Sequence, residues 1–137
     1  MTTKFRNAAL YWGGAPAVGT LVGEGISASV RAPREWIEDT AYGDTNRTYQ
    51  VGFLDFEMTF GRHYDEAAGA GMTLHDDAVA ANPSAKAFYF YGDRATSGDY
   101  WYGNAYAALD SWGGDMGSLI DEEYALRATG AVTHKHA

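Results

Sequence analysis

The sequence contains no cysteine, and that one absence removes disulfide staples, thiolate metal sites and a cysteine nucleophile together. It suits a reducing compartment. Prolines number only three, and no stretch approaches the roughly 20 apolar residues needed to cross a bilayer. The opening MTTKFRNAALYWGG has no apolar run of the kind a signal peptide carries, so the chain reads as soluble, unexported and without a membrane partner. Basic residues are scarce too: ten against eighteen acidic ones leave a formal net charge of −8. A surface of that sign opposes nonspecific binding to phosphate backbones.

The motifs of common chemistry are also missing. There is no GxSxG elbow, no phosphate-cradling glycine loop and no HExxH pair. The histidines are His63, His75, His134 and His136. The last two stand close together but have no carboxylate nearby in sequence to orient them, as metal-bound imidazoles usually require. No catalytic residue, metal site or cofactor is therefore expected. The NRT triplet at Asn46 matches a glycosylation acceptor, which means little in an unexported chain.

What the chain does have is glycine and aromatics. Seventeen glycines, ten tyrosines, six phenylalanines and four tryptophans favour short strands separated by tight turns, because aromatics suit a pleated, half-buried surface. A chain of 137 residues makes one domain, residues 1–137, whose core removes roughly two-thirds of the unfolded surface from water. The closing VTHKHA reads as a short frayed tail.

The clearest periodicity is at Leu54, Phe56, Met58 and Phe60, which alternate with Asp55, Glu57 and Thr59. A period of two predicts a strand with one buried and one wet face, ended or bent by Gly61. Residues 86–91 and 99–109 form the arms of a predicted hairpin, with Phe88 and Phe90 on one face and Tyr89 and Tyr91 on the other. Neither face is cheaply solvated, so the first arm belongs in the middle of its sheet, with Tyr100, Trp101 and Tyr102 as cross-strand partners. Weaker strands are expected at 5–12, 26–31 and 47–51. One short helix is predicted, with Thr73 as N-cap, Asp76 and Asp77 in its first turn, and Asn82 with Pro83 as the stop. Residues 118–130 carry local signals that slightly favour a helix, Ser118 with Asp121, Glu123 with Arg127 and Gly130 as a stop, but they also alternate as a strand, and the all-β surroundings decide for strand.

Asp55 and Glu57 would stand about 7 Å apart on one strand face, a separation used by the acid and base of inverting glycosidases. The same spacing arises on any wet strand, and an exposed or interface-lining acidic face is the preferred reading. Trp12, Trp36, Trp101 and Trp112 lie in separate segments, which favours core roles over a sugar-stacking platform.

Taken in order, TAYGDTNRTYQVGFLDFEMTFGRHYD resembles the central stretch of major tail tube proteins of long-tailed, siphovirus-like bacteriophages. The similarity rests on a turn at Gly43 and Asp44 followed by Arg47, then Gly52 and Asp55 in the alternating segment, then Gly61, Tyr64 and Asp65. A short helix, an aromatic strand after a proline, YWYGNAY and a closing DEEYALRATG follow in the same order, so the resemblance spans residues 4–130.

The resemblance implies a mainly β protein, a β-sandwich of two sheets flanked by one short helix. It implies a structural virion protein that forms stacked hexameric rings, a tail tube conducting DNA during ejection, with no enzymatic activity. The implied partners are other copies of the chain, the tape measure, tail terminator and tail tip proteins, and DNA in passage without specific binding. The implied place is the virion tail, after assembly in the host cytoplasm. On this reading the loop at 40–50 touches a neighbouring subunit or ring through Asp44, Asn46, Arg47 and Tyr49, while Asp55 and Glu57 face the lumen and keep phosphates from sticking. The alternatives are the inner-tube protein of a contractile injection system and a carbohydrate-binding β-sandwich.

Overall fold

The computed structural model describes residues 8–66, 69–93 and 98–136. In chain order the elements are β1 (Ala9–Trp12), β2 (Leu21–Glu24), β3 (Ser27–Arg31), β4 (Arg34–Glu38), β5 (Tyr49–Leu54), β6 (Glu57–His63), α1 (Ala70–Val79), β7 (Lys86–Tyr91), β8 (Tyr100–Gly113), β9 (Asp121–Ala128) and β10 (Thr133–Lys135), with one turn of 3₁₀-helix (Val18–Thr20) before β2. The main sheet runs β2-β1-β7-β8-β9-β6-β3, with β10 beside the start of β8; β4 and β5 form a separate two-stranded sheet. All pairings are antiparallel.

The main sheet folds over on itself. Phe56 stacks on Phe88 at 5.8 Å and Phe60 meets Phe90 edge-on at 6.3 Å, although β8 and β9 separate β6 from β7 within the sheet. Two layers result, filled by Leu10, Trp12, Met58, Phe60, Phe88, Tyr124 and Leu126, with Leu74 of α1 added from the side. The fourteen residues of β8 serve both layers: the first part pairs with β7 and β10, and the remainder with β9 across a register slip between Leu109 and Ser111. The two outermost strands, β2 and β3, are consecutive in the chain. Gly25 and Ile26 carry it across the seam, their amides donating to the carbonyls of Ala8 and Gly61 at 2.9 Å each. A Cβ on Gly25 would lie 2.7 Å from the Phe60 ring, so only glycine permits this crossing.

Alternation explains β7. Phe88 and Phe90 are buried inside the sandwich while Tyr89 stacks on Tyr102 and Tyr91 on Tyr100 on the opposite face. β9 likewise takes the strand form. The helix begins earlier than Thr73 suggests. Gly69 is its N-cap and makes no side-chain cap, and the Thr73 hydroxyl bonds back to the Gly69 carbonyl at 3.1 Å from inside the first turns. Asp77 ties the helix to the sheet, accepting from Trp12 Nε1 at 2.8 Å and meeting Lys86 Nζ at 2.7 Å.

Two further expectations are corrected. The strand read through 54–60 is two strands: β5 ends at Leu54, the Asp55 amide donates to the Pro33 carbonyl at 2.8 Å, and β6 begins at Glu57. The frayed tail is instead β10, held because His134 stacks on Trp101 at 4.2 Å and bonds Asp99 at 2.6 Å. Residues 5–7 of the first expected strand and 94–97 of the expected hairpin turn lie outside the described residues.

Candidate assembly surface

β3 and β6 remain paired as far as Arg31 and Glu57, and between those partners the chain leaves the sandwich as a second hairpin made of β4 and β5. Every residue from 31–51 is exposed. Trp36 opposes Val51 and Glu38 opposes Tyr49, which puts Trp36, Tyr49 and Val51 on one face of this arm. Trp36 is 63% exposed and Phe53 85%. The strands approach closely because position 52 is glycine; a Cβ there would stand 2.7 Å from Glu35 Cβ.

The polar residues of the arm mostly hold its own loop, residues 39–48. Asp39 accepts from Thr48 Oγ1 at 2.6 Å and from Gln50 Nε2 at 3.0 Å, and these two bonds hold its carboxyl below the usual carboxylate value. The Thr48 amide donates to Thr40 Oγ1 at 3.1 Å. At the tip, the Asp44 amide donates to the Ala41 carbonyl at 3.1 Å and Asp44 Oδ2 accepts from the Ala41 amide at 2.8 Å. Gly43 supplies the positive φ of 94° that such a turn needs at its third position, leaving Tyr42 fully exposed at the apex. Arg47 Nε lies 3.9 Å from Glu38 Oε1, Asn46 is exposed, and Tyr49 belongs to β5 rather than to the loop. The residues expected to make contact are therefore together on the arm, but Asp44 and Arg47 face partners inside it. The outward chemistry of the strands is apolar, from Trp36, Val51 and Phe53.

At the base of the arm, Arg31, Glu57 and Arg127 stand in line across β3, β6 and β9. Arg31 Nη1 is 3.6 Å from Glu57 Oε2, and Arg127 Nη2 bonds both Glu57 Oε1 and, at 3.3 Å, Asp55 Oδ2. Asp55 and Glu57 thus share one exposed face, as expected, but two guanidinium groups offset their charge. Further along that face the hydroxyls of Ser29 and Thr59 are 2.6 Å apart.

The opposite end of the sandwich carries the β8–β9 connection. The Ser118 amide donates to the Asp115 carbonyl at 3.0 Å, Gly117 has φ +85°, and Met116 is fully exposed between them. Leu119 and Trp112 flank it; Trp112 is 50% exposed and meets Tyr64 edge-on at 5.6 Å.

Sequence reasoning missed the most buried ionic group. Glu122 is 1% exposed, with Oε1 2.9 Å from Arg62 Nη2, while Oε2 accepts from Tyr124 Oη at 2.6 Å and lies 3.0 Å from His75 Nδ1. Since the Tyr124 proton is committed to Glu122, the His75 Nδ1 facing both oxygens carries its own proton. Burial and the bond to Glu122 push the Tyr124 hydroxyl well above the ordinary phenol range. Gly71 makes room for the guanidinium: a Cβ there would stand 2.5 Å from Arg62 Nη1. The signal was available, because 122 has the same strand parity as Tyr124 and Leu126.

The tryptophans divide likewise. Trp12 is buried, Trp101 packs against Phe56 and His134, and Trp36 and Trp112 are exposed at different ends. They form no shared platform. Among the described residues no three His, Asp or Glu side chains gather to hold a metal, and no helix is long and apolar enough to cross a membrane.

No family model matches the sequence, and no curated protein sequence matches it. Solved structures do. The chain superposes on one from the tail of an empty gene transfer agent particle, refined helically with C6 symmetry, at a TM-score of 0.71 and 9% identity, covering 98% of this chain and 99% of that one. It is a tail-tube fold. A chain of the SPP1 tail tube matches at 0.68 with 11% identity, over 96% of this chain and 77% of that one. The tail-tube fold extends to contractile systems: a chain of the anti-feeding prophage cap, which terminates its tube, matches at 0.67 with 18% identity, over 100% of this chain and 95% of that one.

Proposed function

We propose that this chain is the structural subunit of a phage-type tail tube, forming hexameric rings that stack into a hollow conduit for DNA in the virion tail. The role is architectural rather than catalytic. The observation that carries the reading is the arm: a hairpin that presents Trp36, Tyr49, Val51 and Phe53 to water is incomplete in an isolated chain. Covering what remains exposed contributes on the order of 1–2 kcal/mol per side chain, since Trp36, Tyr49 and Val51 are already partly covered. The sheet margins support the same conclusion. β3 ends the strand order, and β8 beyond Ala105 extends past its pairing with β7, so among the described residues both flanks of the β3-β6-β9-β8 layer can accept a strand from another copy. The likeness to a tail of C6 symmetry supports a ring of six.

On this reading Asp44, Asn46, Arg47 and Tyr49 lie in the contact between copies, and the exposed face bearing Asp55 and Glu57 lines the channel. Assembly takes place in the host cytoplasm, and the finished tube meets a tape measure within and terminator and tip proteins at its ends. Negative-stain microscopy of the purified protein tests the reading. Annular discs or tubes are expected; uniformly small particles at high concentration, with or without a tip initiator, overturn it.

The likeness to the anti-feeding prophage cap and to the tube terminator of an extracellular contractile injection system, the latter at a TM-score of 0.66, supports a second reading as a contractile inner tube. A sheath surrounding the tube in micrographs of the native particle would select it.

A further inference from the structure

The register places the arm and the β8–β9 turn at opposite poles of one layer. Glu57, Arg127 and Tyr106 are level at the arm end, while His63, Asp121 and Gly113 are level at the other. Six residue steps along β6 separate the two levels by about 20 Å. Each pole ends in a turn of the same construction, with an exposed large side chain, Tyr42 or Met116, just before a glycine of positive φ, Gly43 or Gly117. Each turn is also accompanied by exposed apolar residues: Trp36, Tyr49 and Val51 at one pole, Trp112 and Leu119 at the other.

The arm as a whole is acidic, with Arg34 and Arg47 outnumbered by Glu35, Glu38, Asp39 and Asp44, and the turn pole carries Asp115, Asp121 and Glu123, so the charge match between the poles is local and confined to Arg47. Arg47 is held only loosely at home, 3.9 Å from Glu38 with most of its side chain in water.

We propose that the β8–β9 turn is the acceptor for the arm: the Trp36, Tyr49 and Val51 face of one copy seats on Trp112, Met116 and Leu119 of another, with Arg47 against Asp115. The occupant is a second copy of this chain. Two different patches at opposite poles make a heterologous contact, which propagates along one direction rather than closing a symmetric dimer. This sets the polarity of stacking, and it rests on the self-assembly reading above.

Because the chain has no cysteine, single thiols report on the contact cleanly. Tyr49→Cys and Met116→Cys both fall on exposed positions. The two variants are mixed, assembled, treated with a short bis-maleimide and analysed for linked peptides. Linkage of position 49 to position 116 between copies is expected, and the double variant alone should give a ladder of oligomers. Assembled material whose links are 49 to 49 or 116 to 116, or that lacks the mixed link, overturns this acceptor while leaving self-assembly standing. Absence of assembly in the unmodified protein removes both. A charge exchange gives an independent reading: Arg47→Asp should reduce assembly at least tenfold at low salt, and Asp115→Arg in the same chain should restore it. Equal loss in the single and double variants argues against the pairing.

Discussion

Among individual residues, Glu122 has the largest energetic consequence. Its charge lies in the core with Arg62, so removing one member strands the other without solvent. Glu122→Ala or Arg62→Ala should each cost about 3–5 kcal/mol in denaturant unfolding. The double variant should cost much less than the sum, because the second truncation removes the stranded charge. Asp39 offers a milder, pH-dependent test. Its folded value is lowered from 3.8 by Thr48 and Gln50, so its contribution to loop order is fully present above 3.8 and is lost as pH falls through the depressed value. Protection of the Thr48 amide, its exchange relative to the intrinsic rate at the same pH, should therefore fall in strong acid in the native sequence. In Asp39→Asn that protection should already be low at neutral pH and change little on acidification.

If the chain assembles as proposed, the arm is the element that separates assembly from folding. It leaves and returns at Arg31 and Glu57, which are direct cross-strand partners, so a two-residue turn can replace residues 33–55 without moving β3 or β6. Phe56 is kept out of the deletion because it is buried against Phe88. The shortened chain should give the strand-rich circular dichroism of the parent and sediment as a monomer at concentrations where the parent assembles. Its stability should fall only slightly, because the Asp55 contact to Arg127 that is lost is exposed to water. How far such elements could be read from sequence depended on burial. β7 was legible because its phenylalanines and tyrosines alternate, whereas β9, whose local pattern serves a helix as well, was decided only by its all-β surroundings. β4 was not legible, since REWIE is exposed at every position and has no inside to write a pattern. The start of α1 was hidden for a related reason: a glycine cap contributes no side-chain signal, so Thr73, a better capping residue by type, drew the boundary inward. On the arm the legible part was the polar loop at residues 40–50 as an exposed excursion from the strands. The chemistry was not, because hydrogen bonds from Thr48 and Gln50 to Asp39 depend on a fold-back that spacing alone does not announce.

For the whole molecule the decisive question is which surface DNA would meet. The formal charge of −8 suits passage, but charge on a channel wall acts locally, within a Debye length of about 8–10 Å. At the arm base, Arg31 and Arg127 against Asp55 and Glu57 give a local sum near zero. Asp55→Asn with Glu57→Gln therefore leaves two arginines per chain without their carboxylates rather than merely subtracting negative charge. If this face lines the channel, tubes of the double variant should retain DNA and release it more slowly at low salt, and added salt should restore release by screening the new phosphate contacts. Arg31→Gln with Arg127→Gln should do the reverse, leaving release fast and nearly independent of salt. Release kinetics measured across a salt series on tubes of unchanged length distinguish the cases. Identical curves for all three proteins place this face away from the DNA path.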